Sequence, residues 1–181
     1  MANMYFIALL LPTEINERIL KWKLFMKEHF NCSVALRSPA HITLVTPFWM
    51  ASDLEDKLEE SMSQFSNRQP PVEVQLKNFA VFKPTVIYVD VLPTPALQTL
   101  HDQLHEYIIV QNLFPIKKEE RPFYPHVTIA TRDLHKKAFY EAWETFKKKN
   151  YEALAMIRGI SLLKHNQKNW DAIFTSQFKT T

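Results

Sequence analysis

Apolar and polar positions along the chain alternate between a spacing of two and a spacing near 3.6, the periods of strand and helix. The run from Met4 to Leu11 is apolar and closes at Pro12, which predicts a buried strand. Thr13 stands where it can cap a helix, with Glu14 and Glu17 in the first turn. Ile15, Ile19, Trp22, Leu24 and Phe25 then form an apolar stripe that ends near Phe30 and Asn31. A short strand through Val34 and Leu36 is expected next, followed by the β-branched segment His41 to Phe48. Ser52 or Asp53 opens a second helix carrying Leu54, Leu58, Met62 and Phe65, which stops before Pro70-Pro71.

Val72 to Phe82 and Thr85 to Leu92 read as neighbouring strands joined near Lys83-Pro84. Thr94-Pro95 starts a third helix, with Leu97, Leu100, Leu104, Tyr107 and Ile108 at helical spacing. A strand from Pro125 to Ala130, a fourth helix from Leu134 to about Lys149, and closing strands over Ala155 to Leu163 and Trp170 to Phe178 complete the pattern. This order suits an α+β domain in which helices cover mostly antiparallel sheets. No stretch rich in Gly, Ser or Pro forces a boundary, so residues 1–181 are expected to form a single domain. Each half offers a strand, a helix and a histidine-bearing strand.

Composition narrows the chemistry. With 46% hydrophobic and 13% aromatic residues there is ample material for a core, and a net charge of +3 allows an anionic ligand without announcing a nucleic-acid surface. The lone cysteine, Cys32, rules out an intramolecular disulfide and any cysteine-built zinc or iron–sulfur centre. The Met1-Ala2-Asn3-Met4 start lacks the basic flank of a secretory signal, and the apolar run after it is too short to span a bilayer. The expectation is a cytoplasmic protein with no membrane segment and no obligate protein partner, and a monomer suffices. Gly159 is the only glycine. Loops that cradle phosphates through their backbone need several, so nucleoside-triphosphate kinases of that kind and dinucleotide dehydrogenases are excluded. Side chains must grip any phosphate this protein handles.

Two segments supply such side chains. Pro39-Ala40-His41-Ile42-Thr43-Leu44 and Tyr124-Pro125-His126-Val127-Thr128-Ile129 both read His, aliphatic, Thr, aliphatic. Side chains alternate in a strand, so His41 and Thr43 share one face while Ile42 and Leu44 share the other. The same holds for His126 and Thr128 against Val127 and Ile129. Should the two strands converge, one neutral imidazole can take a proton from an attacking water and one imidazolium can protonate the leaving oxygen. The hydroxyls of Thr43 and Thr128 can hold the non-bridging phosphate oxygens. Which histidine is acid and which is base stays open. Threonine is a poor metal ligand and no carboxylate or cysteine sits at ligand spacing, so no metal or other cofactor is expected.

The paired motifs resemble the signatures of the two-histidine (2H) phosphoesterase superfamily, in particular its branch of bacterial 2′-5′ RNA ligases and RNA 2′,3′-cyclic phosphodiesterases. The likeness extends to the opening Tyr5-Phe6-Ile7-Ala8-Leu9 strand, the following Leu11-Pro12 and helix, and the spacing of the motifs. It implies a bilobal fold of two antiparallel sheets with helices outside, pseudo-two-fold symmetry and a cleft between the sheets. It also implies metal-independent hydrolysis of a 2′,3′-cyclic phosphate on an RNA end or small nucleotide, commonly to a 2′-phosphate. By this resemblance His41 and His126 are the catalytic pair, and Thr43 and Thr128 bind phosphate. The rival readings are a 2′-5′ RNA ligase, a nuclease for 2′-5′ oligonucleotides, and a non-catalytic module that binds nucleotides or RNA ends.

The chain departs from that branch in two places. Val45-Thr46-Pro47-Phe48 stands where the branch has Phe-Leu-Gly, and Arg132 is displaced by one residue after the second motif, which predicts that it turns to the other face. Further candidate substrate contacts are Phe48 and Tyr124, which could stack on a base, and Arg37 and Arg121, which could reach a phosphate. His101 and His105 form an i, i+4 pair on the third helix and read as part of an ordinary amphipathic face.

Overall fold

The computed structural model describes residues 1–179. Two four-stranded antiparallel sheets form the frame. The first has the order β2-β1-β7-β8, built from β1 (Ala2–Leu10), β2 (His41–Ala51), β7 (Gly159–His165) and β8 (Trp170–Gln177). The second has the order β5-β4-β3-β6, built from β3 (Val72–Phe82), β4 (Val86–Val91), β5 (His126–Ala130) and β6 (Glu152–Ile157). Helices α1 (Thr13–Phe30), α2 (Glu55–Ser66), α3 (Pro95–Val110) and α4 (Lys136–Phe146) pack against these strands. Among the described residues no helix is long and apolar enough to cross a membrane.

The symmetry expected from the repeated pattern is present. A strand–helix–strand unit, β1-α1-β2, sits in the first sheet, and its counterpart β4-α3-β5 sits in the second. In both units the two strands pair antiparallel and the histidine-bearing strand is an outer strand of its sheet. The alternation of β2 and β5 holds: Ile42, Leu44, Val127 and Ile129 are buried in one continuous core that joins both sheets, while His41, Thr43, His126 and Thr128 are half-buried. Helix α1 also reaches β5 of the opposite sheet, and α3 reaches β2, so each helix braces the other half's histidine strand.

Three local expectations are corrected. Val34 to Arg37 is a 3-10 turn rather than a strand, because the carboxylate of Asp133 accepts from the backbone N–H of Ser33 at 2.7 Å and of Val34 at 3.0 Å and caps it. Thr13 does not cap α1. The helix begins at Thr13 with Pro12 in the cap position and no side-chain cap, whereas Thr94 does cap α3 by accepting from the Leu97 N–H. The run from Ala155 to Leu163 is not one strand. It breaks at Arg158 into β6 of the second sheet and β7 of the first. Gly159 follows the break and pairs with Gln177, where an added Cβ would fall 2.4 Å from the Ser176 carbonyl oxygen. The only glycine is therefore spent on a crossing too close for any side chain.

Candidate active site

The two histidine strands lie against one another at the junction of the sheets. Each imidazole is fixed in the same way. His41 Nδ1 lies 2.7 Å from the carbonyl oxygen of Pro39, and His126 Nδ1 lies 2.7 Å from that of Tyr124. A carbonyl can only accept, so both Nδ1 atoms carry the proton. Nε2 of each ring is left free of that bond, a lone pair when neutral and a donor when protonated. The prolines and the tyrosine ahead of the motifs thus have a definite use: the extended backbone two residues upstream presents the oxygen that sets the tautomer.

Aromatic side chains hold the rings from the side. His41 lies 4.9 Å from Phe6, which in turn meets Trp170 edge-on at 4.7 Å. His126 lies 5.0 Å from both Phe82 and Tyr88. The Asp133 carboxylate ties the halves together, since it follows β5 directly and anchors the turn that leads into β2. It also accepts from the Cys32 thiol at 3.0 Å, and burial pushes that thiol up to about 12, so it is inert.

Two cavities open on this junction and share Thr43. One, about 440 Å³, is lined by Thr43, His126, Phe82, Phe123 and Tyr124, among others. The other, about 360 Å³, is lined by His41, Thr43, Thr128, Arg37, Arg132 and Trp170, among others. The four motif side chains therefore border one cleft.

The electrostatics of the two rings differ. Burial pushes His41 down to about 4, against its hydrogen bond to Pro39, with Lys23 and His126 adding to the depression. Lys23 is 3% exposed, donates to the Ser38 carbonyl oxygen at 2.9 Å, and is itself lowered to about 8 by burial. Burial also lowers His126, but there the Tyr124 hydrogen bond and the Asp90 carboxylate oppose it. Asp90 is the cross-strand partner of His126; the residue facing His41 from β1 is Leu10.

The remaining sequence candidates separate. Arg37 and Tyr124 line the cleft on its two sides, Tyr124 at 65% exposure. Arg121 lines the first cavity, but its guanidinium is paired with Glu119 through Nε at 3.1 Å and Nη2 at 3.0 Å. Phe48 lines neither of these two cavities. It is 8% exposed, with its ring against Tyr5 at 6.1 Å, so it packs mostly in the core, and it borders a separate cavity of about 370 Å³ beside Trp49 and Lys117. Arg132 does not turn away as its displacement suggested: a left-handed residue at φ 44° brings it back to the cavity of His41 and Thr128. Sequence reasoning missed Lys23 and Asp90, and set aside His101 and His105, which line the cavity of His126. No third His, Cys, Asp or Glu joins that pair in a metal-holding group among the described residues.

Known proteins resemble this chain at both levels. A Geobacillus kaustophilus protein with a provisional phosphoesterase name is 32% identical over 111 residues, and one from Geobacillus thermodenitrificans is 33% identical over 98. The matched stretches span 60% and 53% of those relatives' lengths. The crystal structure of E. coli LigT complexed with 3′-AMP superposes with a TM-score of 0.73 at 18% identity, covering 99% of this chain and all of that one. A Thermus thermophilus protein follows at 0.68 and 14%, covering 97% and 98%. These structural likenesses are of fold. The model of the 2′-5′ RNA ligase superfamily matches residues 11–169, and the chain belongs to that family.

Proposed function

We propose that this protein is a metal-independent phosphodiesterase that opens a 2′,3′-cyclic phosphate on an RNA end or small nucleotide and leaves a 2′-phosphate. The observation that carries the reading is the pair of imidazoles with identical backbone-locked Nδ1–H groups, bordering one cleft with Thr43 and Thr128. His41, held neutral by burial and by the Lys23 cation, is the base. His126, faced by Asp90, is the acid.

In the step, His41 Nε2 takes a proton from water as its oxygen bonds to phosphorus. The P–O3′ bond breaks, and His126 Nε2 gives its proton to O3′, leaving a 3′-hydroxyl and a 2′-phosphate. The Thr43 and Thr128 hydroxyls donate to the non-bridging oxygens as charge builds there. That E. coli LigT has been crystallised with 3′-AMP, ATP and phosphate supports a nucleotide or RNA end as the ligand for this fold. The cytoplasm suits a chain whose one thiol is free and buried.

A second reading, making or breaking a 2′-5′ linkage, is favoured by the cavity on the His41 side, whose Arg37 and Arg132 offer charge and room for a second nucleotide. Incubation with 2′,3′-cyclic nucleotides in EDTA separates the readings. A 2′-monophosphate product is expected, with losses of at least about a hundredfold in His41→Ala and in His126→Ala. Joined ends support the second reading, and saturable binding without turnover overturns both.

A further inference from the structure

Helix α3 brings a second pair of imidazoles to the cleft. His101 and His105 form part of the wall of the 440 Å³ cavity whose lining also includes Thr43 and His126. Leu44, Phe82, Phe123 and Tyr124 make much of the rest aromatic and apolar. A space of that size takes a nucleoside-sized group, and a group joined to a phosphate at the motifs can extend into it past His126.

His101 is built into this wall. It is 9% exposed, and its ring stacks on Phe123 at 4.1 Å and 13° while lying 4.5 Å from the ring of His105. Its Nδ1 is 2.8 Å from Asp102 Oδ1, which also accepts from Gln98 Nε2 at 2.8 Å. His105 is anchored separately, its Nε2–H donating to the Leu44 carbonyl oxygen at 2.8 Å. With Asp102 accepting at Nδ1, neutral His101 carries its lone pair on Nε2. No described residue hydrogen-bonds that atom. It is not fully buried, unlike the unpartnered Nδ1 of His105 in the same wall, so a donor entering the cavity can reach it.

The matching occupant is flat, apolar on its faces and bears an N–H at its edge. Those are the properties of a nucleobase. We infer that this cavity is the base subsite of the phosphodiesterase and that His101 reads the base by accepting a hydrogen bond from an N–H at its edge. The inference rests on the phosphodiesterase reading. Asp102 is then a positioning residue that holds the His101 tautomer, and Phe123 holds the ring plane.

The test compares adenosine 2′,3′-cyclic phosphate with 1-O-methylribose 2′,3′-cyclic phosphate, which lacks a base, on the parent protein, His101→Phe and Asp102→Asn. Phenylalanine keeps the ring on Phe123 and removes both nitrogens. The parent is expected to show a KM at least about tenfold lower for the adenosine ester, the scale of one well-placed hydrogen bond with stacking. His101→Phe removes most of that difference through KM rather than kcat, and Asp102→Asn removes part of it. The KM for the base-free ester moves less than twofold in either variant, a pattern that a general loss of folding does not produce. Equal KM values for both esters in the parent, or an adenosine KM untouched in His101→Phe, overturn the subsite. Should the parent turn over neither ester, the phosphodiesterase reading fails and the subsite is judged by calorimetry with 2′-AMP. Weaker 2′-AMP binding in His101→Phe with equal binding of inorganic phosphate supports it, and unchanged 2′-AMP binding overturns it.

Discussion

Asp90 faces His126 directly across the β4–β5 ladder, in the register position where β1 sets Leu10 against His41. The pseudo-symmetry of the fold is broken at this pair. Burial lowers both rings, but a carboxylate beside one opposes that shift while a buried lysine near the other adds to it, so two motifs of the same sequence pattern differ in their hold on a proton.

The pH dependence of kcat/KM should reflect that asymmetry. The proposed mechanism needs His41 neutral and His126 protonated, so the acidic limb is expected near pH 4 and the alkaline limb below the usual histidine value of about 6.5. Asp90 raises His126, so Asp90→Asn should move the alkaline limb to lower pH. Lys23 lowers His41, so Lys23→Met should move the acidic limb to higher pH. Rate profiles of the two variants check this, and a shift of the acidic limb in Asp90→Asn, or of the alkaline limb in Lys23→Met, reverses the assignment of acid and base.

The threonine hydroxyls should matter in the transition state more than in the ground state. Thr43→Val and Thr128→Val keep shape and β-branching while removing the donor. Each is expected to lower kcat about a hundredfold with a much smaller change in KM, the scale of losing one oxyanion donor. Steady-state kinetics on a 2′,3′-cyclic nucleotide decide it.

The lowered histidines should also make the fold sensitive to acid. His41 titrates lower in the folded protein than in the unfolded chain, so the unfolded state binds more protons as pH falls from about 6.5 towards 4. Stability is thus full above about pH 6.5 and declines through that window, by on the order of a few kcal/mol for His41. Urea denaturation at pH 7 and pH 5 should show a smaller loss for His41→Gln than for the parent. An inactive variant that resists acid better than the parent is the expected outcome.

Gly159→Ala should be costly although the residue is far from any chemistry in the sequence. Its Cβ would fall 2.4 Å from the Ser176 carbonyl oxygen, backbone that cannot swing aside. A loss of about 2 kcal/mol or more is expected, read as a lower urea midpoint.

What the sequence disclosed and what it concealed follow from the range of the interactions. The His-x-Thr segments were legible because strand alternation alone puts His41 with Thr43 and His126 with Thr128 on one face. Their convergence was suggested by the repetition and by the family resemblance, not by any local signal. Asp90 was not legible, because its facing of His126 depends on the register between β4 and β5. Lys23 looked like one more polar position of α1 and became a buried cation only through packing around Ser38. The turn at Val34 resembled a strand because its cap, Asp133, lies 99 residues further along. The break at Arg158 was hidden in an apolar run that divides between two sheets. His101 and His105 were visible as a spaced pair, but nothing local showed that α3 turns them toward the second motif.

Each imidazole is oriented by its own strand, through a carbonyl two residues back, so the reach from one Nε2 to the other is not set by those hydrogen bonds. It is set by Ile42, Leu44, Val127 and Ile129, the aliphatics on the reverse side of the same two strands, which share one interior. Enlarging or shrinking those side chains would retune the span between the two rings while both histidines and both threonines stayed intact, making the interior of this protein a calliper for whatever sits between them.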